Sequence, residues 1–349
     1  MDDNEMLCDR KDTLLLSIIV PVYNMNRNNM LNECVESLID QSVGTLGKYE
    51  VIFVDDCSTD DSLNVLRDYE RRFPELIRVI ARDRNGRQGA ARNTGLRAAA
   101  GKWIGFVDSD DWVHRDMYYK LIRRAEETGA DCATCYSLTV RDRSLSVPEG
   151  ELVPSNFREG DITPEQTERT ICLGENMWNK IYLRSTLTDN DLFFPENIFY
   201  EDNAVAAYFY IMSKRIAVVS EPLYYYYVNP GSTCNDMTIN KIEDRLSAGD
   251  FFLKTARRLG IYESRKELIS FGYFGQVFVM GLVHVWRVNA GFKERRRLLS
   301  EIRGAVLANC PGMEKNRLFS EYYPGLIRPY RLLKRSVTLY MAYHYYRER

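Results

Sequence analysis

Four residues, Asp108-Ser109-Asp110-Asp111, place three carboxylates directly after the apolar run at residues 103–107. The run predicts a buried strand, so the acids stand where a strand leaves its sheet, which is a rigid place to hold a ligand. Two carboxylates one residue apart can turn toward one point and supply the hard oxygen ligands that Mg²⁺ or Mn²⁺ prefers. A metal bound in this way usually carries phosphates. The alternative is a solvated Asp-rich turn that caps the next helix.

The surrounding pattern alternates short apolar runs with amphipathic windows. It predicts strands at 14–22, 49–54, 77–81, 103–107 and 131–137, and helices at 30–40, 61–73, 87–99 and 116–129. Strands that are apolar on both faces and joined by helix-length crossovers indicate an α/β fold with a mostly parallel sheet and helices on both faces. Ligands of such sheets collect at the carboxyl ends of the strands. Polar clusters fall at three such ends: Tyr23-Asn24, Asp55-Asp56 and Asp108-Ser109-Asp110.

The pattern changes after residue 140. Residues 140–160 are polar and contain Pro148, Gly150 and Pro154, which predicts a hairpin or a mobile loop. Helices are predicted at 165–183 and 198–213, strands at 216–220 and 223–228, and helix throughout after residue 237. We therefore expect one domain at 1–235, with a donor half at about 14–139 and an acceptor half at about 160–233, and an all-helical domain at 236–349.

Two segments of the helical tail raise the question of a membrane. Residues 268–286 carry no formal charge, but their glycines and polar side chains favour a buried core helix over a membrane span. Residues 326–349 interleave arginines and lysines with tyrosines and leucines. That mixture is typical of a helix on an anionic membrane surface and equally of a terminal helix with a basic face in water.

The composition of the chain indicates which kinds of partner it binds and in which compartment it lies. The chain has 349 residues, a net charge of −2 and 45% hydrophobic residues, which is an ordinary globular balance without the basic excess of a nucleic-acid binder. The acidic first residues are not followed by an apolar signal segment, so we expect a cytoplasmic protein. The cysteines are scattered, and Cys132 and Cys135 lie in a strand-like run, which indicates structural thiols.

Four motifs occur in one order over about 110 residues: 18–24 (IIVPVYN), 50–60 (EVIFVDDCSTD), 85–96 (NGRQGAARNTGL) and 106–112 (FVDSDDW). Together they resemble the family 2 glycosyltransferases, inverting enzymes of the GT-A fold, and in particular the bacterial polysaccharide-assembly members. The resemblance continues less specifically through Trp178-Asn179-Lys180 and Glu201-Asp202 to Ser232-Thr233. It covers roughly residues 14–233 and says little about the tail.

The resemblance implies a nucleotide-sugar donor. A carboxylate after the second strand, Asp56 or Asp55, would accept the imide N–H of uracil, which favours UDP and leaves GDP open. Two glycines, Gly86 and Gly89, open a helix without the G-x-G-x-x-G spacing of a dinucleotide fold, and its first turn can face a diphosphate. The residues expected to bind the donor are Pro21, Val22, Tyr23, Asn24, Asp55, Asp56, Arg87, Arg92, Asp108 and Ser109.

The resemblance also assigns the metal and the chemistry. Asp110 would bind Mn²⁺ or Mg²⁺, with Asp108 sharing the metal or holding the ribose. Asp202 matches the family's catalytic acid position and would act as general base with Glu201 in support, unless both acids only stabilise the first turn of a helix. Trp178 offers an acceptor sugar a flat face or packs in the core, and Lys180 would reach a phosphate. Ser232 and Thr233 would close over the diphosphate.

The expected function is metal-dependent, inverting transfer of a sugar from a nucleotide sugar, with a UDP-sugar favoured. The acceptor would be a hydroxyl of a glycan or lipid-linked glycan in capsule or O-antigen synthesis. The alternative is a catalytically silent scaffold of a polysaccharide-assembly complex, against which the intact acids argue. No nucleic-acid partner is expected. For the helical tail, the sequence is compatible with contact with the inner face of the cell membrane, with a partner protein or with a second copy of the chain.

Overall fold

The computed structural model of the protein describes residues 14–144, 148–174, 176–229, 231 and 236–347. The chain forms two compact units. Of the described residues, the first unit contains those up to Thr167, those between Glu175 and Asn197, and those between Ala206 and Ser232. The second contains Glu168–Gly174, Ile198–Val205 and those after Thr233. The helical unit therefore includes two earlier segments, one of which carries Glu201 and Asp202.

The first unit begins with four parallel strands connected by helices, as the alternating pattern predicts. These elements are β1 (Leu14–Val22), α1 (Met30–Ile39), β2 (Lys48–Asp55), α2 (Ser62–Arg72), β3 (Ile77–Ala81), α3 (Arg87–Ala98) and β4 (Trp103–Phe106). The strands lie in the order β3-β2-β1-β4. Most apolar side chains of β1, β2 and β4 are buried, because helices cover the sheet. The α/β prediction is confirmed for this half.

The sheet continues through the rest of the first unit. The further elements are β5 (Trp112–Val113), α4 (Met117–Thr128), β6 (Cys132–Val140), β7 (Gly150–Val153), β8 (Gly160–Asp161), α5 (Pro164–Leu173), β9 (Lys180–Leu183), α6 (Arg184–Asp189), α7 (Ala206–Ile211) and β10 (Arg215–Tyr227). Helix α5 passes into the second unit after Thr167. The main path is β3-β2-β1-β4-β9-β6-β10-β5, with β7 on β6 and β8 on β10. Strand β9 runs antiparallel between β4 and β6, while β10 is parallel to β6. Strand β7 forms a hairpin with β6.

Three secondary-structure predictions in the acceptor half are wrong. The helix predicted at 165–183 ends at Leu173, and Lys180–Leu183 is a strand, because a short apolar run buried between two strands has no helical period to distinguish it. The helix predicted at 198–213 is reduced to Ala206–Ile211. The two strands predicted at 216–220 and 223–228 are one strand, β10, whose register shifts around Pro222.

The second unit confirms the all-helical tail. Its elements are α8 (Ile239–Arg258), α9 (Lys266–Phe274), a π-helical segment (Gly275–Val279), α10 (Met280–Arg287), α11 (Phe292–Asn309), α12 (Arg317–Tyr322), α13 (Ile327–Arg335) and α14 (Val337–Arg347). An aromatic cluster forms its core. Rings of Phe274, Phe278, Phe319 and Tyr330 pack at centroid distances between 4.5 and 5.6 Å.

One helix among the described residues, Lys266–Arg287, is long and apolar enough to cross a membrane, and 61% of its most apolar window is buried in the protein. Burial of that kind is typical of a core helix. On α14, Leu339, Tyr345 and Tyr346 are exposed, the last to 84%. The membrane-surface interpretation of this segment stays a prediction.

Candidate functional site

The polar clusters meet at one edge of the sheet, at its topological switch point. Strand β1 lies between β2 and β4. The chain passes from β1 to β2 and β3 on one side of it and then returns to β4 on its other side, so the strand order reverses at β1. The backbone N–H of Asp56 donates to the carbonyl of Val22 (2.8 Å), and that of Val107 donates to Ile19 (3.1 Å). These bonds align the three strand ends. The crevice outside such ends is where open α/β sheets bind ligands.

Asp55 and Asp56 are both buried at this edge but are bonded differently. Asp56 accepts from the guanidinium of Arg82 through Oδ1 (2.5 Å) and from the backbone N–H of Gly86 through both oxygens (3.0 and 3.1 Å). Asp55 accepts from the N–H of Ser58 through Oδ2 (3.0 Å). Its Oδ1 is buried and has no hydrogen-bond donor within the described part of the chain. A buried acceptor without a donor calls for a partner.

The end of β1 divides into a buried and an exposed part. Pro21 and Val22 are buried and pair with β2, so their contact with the donor stays a prediction, whereas Tyr23 is 45% exposed. Asn24 has a positive φ of 52°, a conformation that Asn tolerates. Its Oδ1 accepts from the backbone N–H groups of Thr59 (2.8 Å) and Asp60 (3.3 Å). Asn24 thus fastens the end of β1 to the loop after β2.

Of the three arginines of α3, the two expected to bind the donor, Arg87 and Arg92, have different surroundings. Arg92 is buried, and its guanidinium donates to Oδ1 of Asp108 at 2.8 Å and lies 5.5 Å from the ring centroid of Phe194. In this structure Arg92 is therefore an ion-paired helix residue, and direct binding of the donor by Arg92 stays a prediction. Arg87 is half-buried and begins the helix with φ at 64°, an uncommon conformation for a residue with a side chain.

The acids after β4 have unequal environments. Asp110 accepts from the side-chain amide of Asn229 (3.0 Å), and burial together with the Asp108 carboxylate raises the pKa of Asp110. Ser109 between them is buried. Asp111 is fully buried and accepts from the Tyr224 hydroxyl (2.7 Å) and the Tyr227 N–H (2.8 Å).

The alternative of a solvated Asp-rich turn that caps the next helix is wrong for Asp111, the last residue of that turn. The residue before α4 is Asp116, whose side chain makes no capping bond, whereas Asp111 attaches β10 to the site. Burial, and after it the neighbouring carboxylate of Asp110, raises the pKa of Asp111 well above its ordinary value. Three carboxyl groups therefore lie in one region of concentrated negative charge.

Asp108 and Asp110 fit a divalent cation that takes some of its ligands from the protein and the others from the substrate and water. No group of three or more His, Cys, Asp or Glu side chains in the described residues is arranged to hold a metal. Mg²⁺ sites of phosphate-handling proteins are commonly built from one or two carboxylates plus phosphate oxygens and water. The raised pKa of Asp110 has the Asp108 charge as its second cause, and a cation would offset that repulsion.

Arg143 belongs to the site but was missed in the sequence. It donates to the carbonyl of Asp110 (2.6 Å) and to Glu33 (2.5 Å), and its guanidinium lies 4.6 Å from the ring of Trp112 and 4.7 Å from that of Tyr227. It follows β6 in the segment expected to be a hairpin or mobile loop. No local pattern marks it, because its partners come from three other parts of the chain.

Asn93 is a second missed residue. Its side chain donates to the carbonyl of Phe194 (2.9 Å) and to Glu196 (2.9 Å), and accepts from the N–H of Phe194 (2.8 Å). Asn is a poor residue for the middle of a helix, and that mismatch was the available signal.

Trp178 and Lys180 make contacts within the fold. The Trp178 ring stacks on Tyr224 (4.5 Å, 19°) and Tyr226 (5.5 Å, 9°). Lys180 is buried, and its ammonium donates to Asn179 (2.6 Å) and Asn176 (2.8 Å). Both contacts are structural, and the predicted roles toward the acceptor and a phosphate stay predictions.

The pair Glu201-Asp202 lies in the second unit, in the segment 198–205, which we call the acid turn. Asp202 is half-buried and accepts from the backbone N–H (2.8 Å) and the side-chain amide (3.1 Å) of Asn203 through Oδ1. Glu201 is buried. The alternative that both acids stabilise the first turn of a helix is wrong, because the next helix begins at Ala206. Ser232 and Thr233 lie outside the described residues.

The sequence of this chain is similar to that of one protein family. The model of the family "Glycosyl transferase family 2" matches residues 17–187. The chain is 36% identical over 226 residues to the uncharacterized glycosyltransferase EpsJ of Bacillus subtilis, covering 62% of each. It is 30% identical over 249 residues to the succinoglycan biosynthesis protein ExoO of Rhizobium meliloti, covering 68% of each. The chain belongs to glycosyltransferase family 2.

Relatives of known structure agree on the fold of this family 2 member. The poly(ribitol-phosphate) beta-N-acetylglucosaminyltransferase TarS of Staphylococcus aureus is 31% identical over 212 residues, which cover 60% of this chain and 35% of TarS. The structure of TarS 1–349 with UDP-GlcNAc superposes with a TM-score of 0.65 at 23% identity, covering 93% of this chain and 91% of that one. GalNAc-T7 with UDP, GalNAc and Mn²⁺ superposes at 0.50 with 13% identity, covering 86% and 58%. The fold is of the GT-A type.

Proposed function

We propose that this protein is a metal-dependent inverting glycosyltransferase that moves a sugar from a nucleotide sugar, most favourably a UDP-sugar, to a hydroxyl of a glycan or lipid-linked glycan. The observation that supports this proposal most is that Asp55-Asp56 and Asp108-Ser109-Asp110 lie together at the switch point of the sheet. Since the chain spans about 62% of the length of EpsJ, the activity is proposed for the chain and not transferred from its relatives.

A uridine nucleotide suits the base end of the site. The buried Oδ1 of Asp55 has no donor in the described residues, while Asp56 is engaged by Arg82 and Gly86. We therefore assign the imide N–H of uracil to Asp55. The complex of TarS with UDP-GlcNAc supports the choice of nucleotide.

The metal end is assigned to Asp110, with Asp108 as second carboxylate. A bound Mn²⁺ or Mg²⁺ would neutralise the charge that develops on the departing diphosphate. Arg92, paired with Asp108, fixes the direction of that carboxylate, and Arg143 fixes the backbone at Asp110. The presence of Mn²⁺ in the GalNAc-T7 structure supports this assignment.

The chemical step is a single in-line displacement. The acceptor oxygen forms a bond to the anomeric carbon while the bond from that carbon to the diphosphate oxygen breaks, and the nucleoside diphosphate leaves with the electron pair. Asp202 takes the proton of the acceptor hydroxyl. The assignment of Asp202, with Glu201 beside it, rests on the family pattern.

The test is a panel of UDP- and GDP-sugars measured with and without Mn²⁺ by thermal shift and by nucleoside diphosphate release. A matched donor at 100 times its dissociation constant should stabilise the protein by about 2.7 kcal/mol. In Asp110→Asn we expect the Mn²⁺-dependent part of that stabilisation to disappear while the protein remains folded. Binding of no nucleotide by the wild-type chain would contradict the proposal and favour the scaffold alternative.

A lipid-linked acceptor would require the protein to work at the inner face of the cell membrane. The exposed Leu339, Tyr345 and Tyr346 of α14 and the arginines of the same segment are the surface proposed for this contact. Sedimentation with vesicles should show binding to anionic vesicles that is weakened by salt and by Tyr346→Ser. Equal binding to neutral vesicles, or none to either, would contradict it.

A further inference from the structure

The acid turn has no regular structure of its own. Residues 198–205 form turns without helix or strand, and Tyr200 within them has a φ of 65°. A bulky residue in the left-handed region is strained, and such strain persists only where the surroundings enforce it. Two backbone hydrogen bonds lie within the turn, from the N–H of Ala204 to the carbonyl of Tyr200 (3.3 Å) and from that of Val205 to the carbonyl of Asp202 (3.0 Å). The other contacts described below come from side chains elsewhere in the second unit.

Arg245 on α8 contacts the acid turn at two residues, Tyr200 and Asn203. Its guanidinium carbon lies 3.5 Å from the centroid of the Tyr200 ring, and the side chain is buried. One of its terminal nitrogens is 3.5 Å from Oδ1 of Asn203, the residue that donates twice to Asp202. A planar guanidinium can stack and donate at the same time, which an ammonium cannot do.

His284 on α10 completes the contact with Tyr200. Its ring stacks on Tyr200 at 5.5 Å and 28°, and its Nδ1 accepts from Nε of Arg245 (3.3 Å). Because Arg245 can only donate, that nitrogen of His284 carries no proton. Burial, and then the charges of Arg245, Arg287 and Lys241, lower the pKa of His284 to about 4, so the ring is neutral at neutral pH.

Two further hydrogen bonds attach the backbone of the acid turn. Gln276 donates to the carbonyl of Asn203 (2.9 Å), and the N–H of Phe199 donates to Asp244 on α8 (3.1 Å). Gln276 lies in the π-helical segment, and single π turns inside α-helices occur frequently at functional sites. Helical residues far along the chain therefore hold the turn at its start and at Asn203.

We propose that Arg245 is a positioning residue for Asp202, which it orients through Tyr200 and Asn203. This inference rests on the proposed function, in which Asp202 is the base. It gives the helical unit a part in turnover that is separate from binding the donor, whose residues lie in the first unit.

The first experiment compares substitutions of Arg245 in the full chain. Arg245→Met should lower kcat about 100-fold, the cost of a small misplacement of a reacting group, and leave the KM for the donor unchanged. Arg245→Lys keeps the charge without the planar group and should restore only part of kcat. Arg297→Met is the matched control, since Arg297 on α11 pairs at the surface with Glu243, Glu294 and Glu301 and should leave kcat unchanged.

The second experiment is a double-mutant cycle with Asp202→Asn. If Arg245 acts through Asp202, Arg245→Met should lower turnover much less in the Asp202→Asn protein than in the wild type. Asn203→Ala, a change at a half-buried position that cuts the link between them, should behave in the same way and serves if Arg245→Met does not fold.

The outcomes separate the two proposals. Fully additive losses, or a kcat unchanged in both Arg245→Met and Asn203→Ala, would overturn the positioning role while Asp202 remains the base. Unchanged turnover in Asp202→Asn would overturn the assignment of the base, and with it the positioning role, whatever the Arg245 variants do.

Discussion

The strand ends of the first unit and the acid turn of the second hold their carboxylates by different means. At the strand ends, backbone hydrogen bonds between neighbouring strands set the position of each acid, as the bond from Asp56 to Val22 illustrates. In the acid turn, side chains of distant helices set it, chiefly Arg245 and Gln276. Substitutions of single helical side chains should therefore alter turnover, whereas the strand ends should be sensitive mainly to backbone displacement.

The largest effect is expected for Asp202→Asn. Loss of the base should lower kcat by roughly 10²- to 10⁴-fold, because proton removal from the acceptor is lost while the donor residues are intact. Donor affinity, measured by titration calorimetry, should stay as in the wild type. Asp189→Asn, at the exposed last residue of α6, is the control and should leave both quantities unchanged. A weakened donor affinity in Asp202→Asn would place Asp202 with the donor residues and contradict the division of roles between the strand ends and the acid turn.

The second prediction tests how sensitive the first unit is to displacement of β1, the strand between β2 and β4. A Cβ at Gly95 of α3 would clash with the Ile19 side chain on β1, so Gly95→Ala should destabilise the protein by about 1–3 kcal/mol through overpacking. Urea denaturation measures the change. Gly304→Ala on α11 is the matched control: nothing lies near its Cβ, and a better helix former should stabilise by up to about 1 kcal/mol. Equal signs for the two changes would contradict the prediction.

The smallest effect concerns the pH dependence of the helical unit. The unfolded chain protonates His284 near its ordinary pKa of about 6.5, but the folded chain does so only at about 4. The unfolded state therefore binds more protons in this window, and the free energy of unfolding should fall as pH drops from about 6.5 to 4. His284→Gln keeps an acceptor for Arg245 without titrating, so its stability should fall less over that range. An identical pH profile for the two proteins would contradict the lowered pKa.

Much of the first unit could be predicted because its signals are local. The bounds of β1 and β3 agree with the predicted runs, and the polar clusters after β1, β2 and β4 do meet at one edge. The errors lie where the pattern is ambiguous over few residues, as at Lys180–Leu183. Arg143 and Asn229 escaped prediction, since their contacts with the residues after β4 join positions far apart in the chain.

The class of fold, the family and the acids available for chemistry could be predicted from the sequence alone, because strand periodicity and short motifs are properties of neighbouring residues. The different environments of those acids became visible in the folded chain. There, Asp111 anchors β10, an oxygen of Asp55 has no donor among the residues that the structure describes, and helical side chains contact the turn that carries Asp202. Burial and hydrogen bonding depend on which distant segments meet, and that is decided by packing over the whole chain.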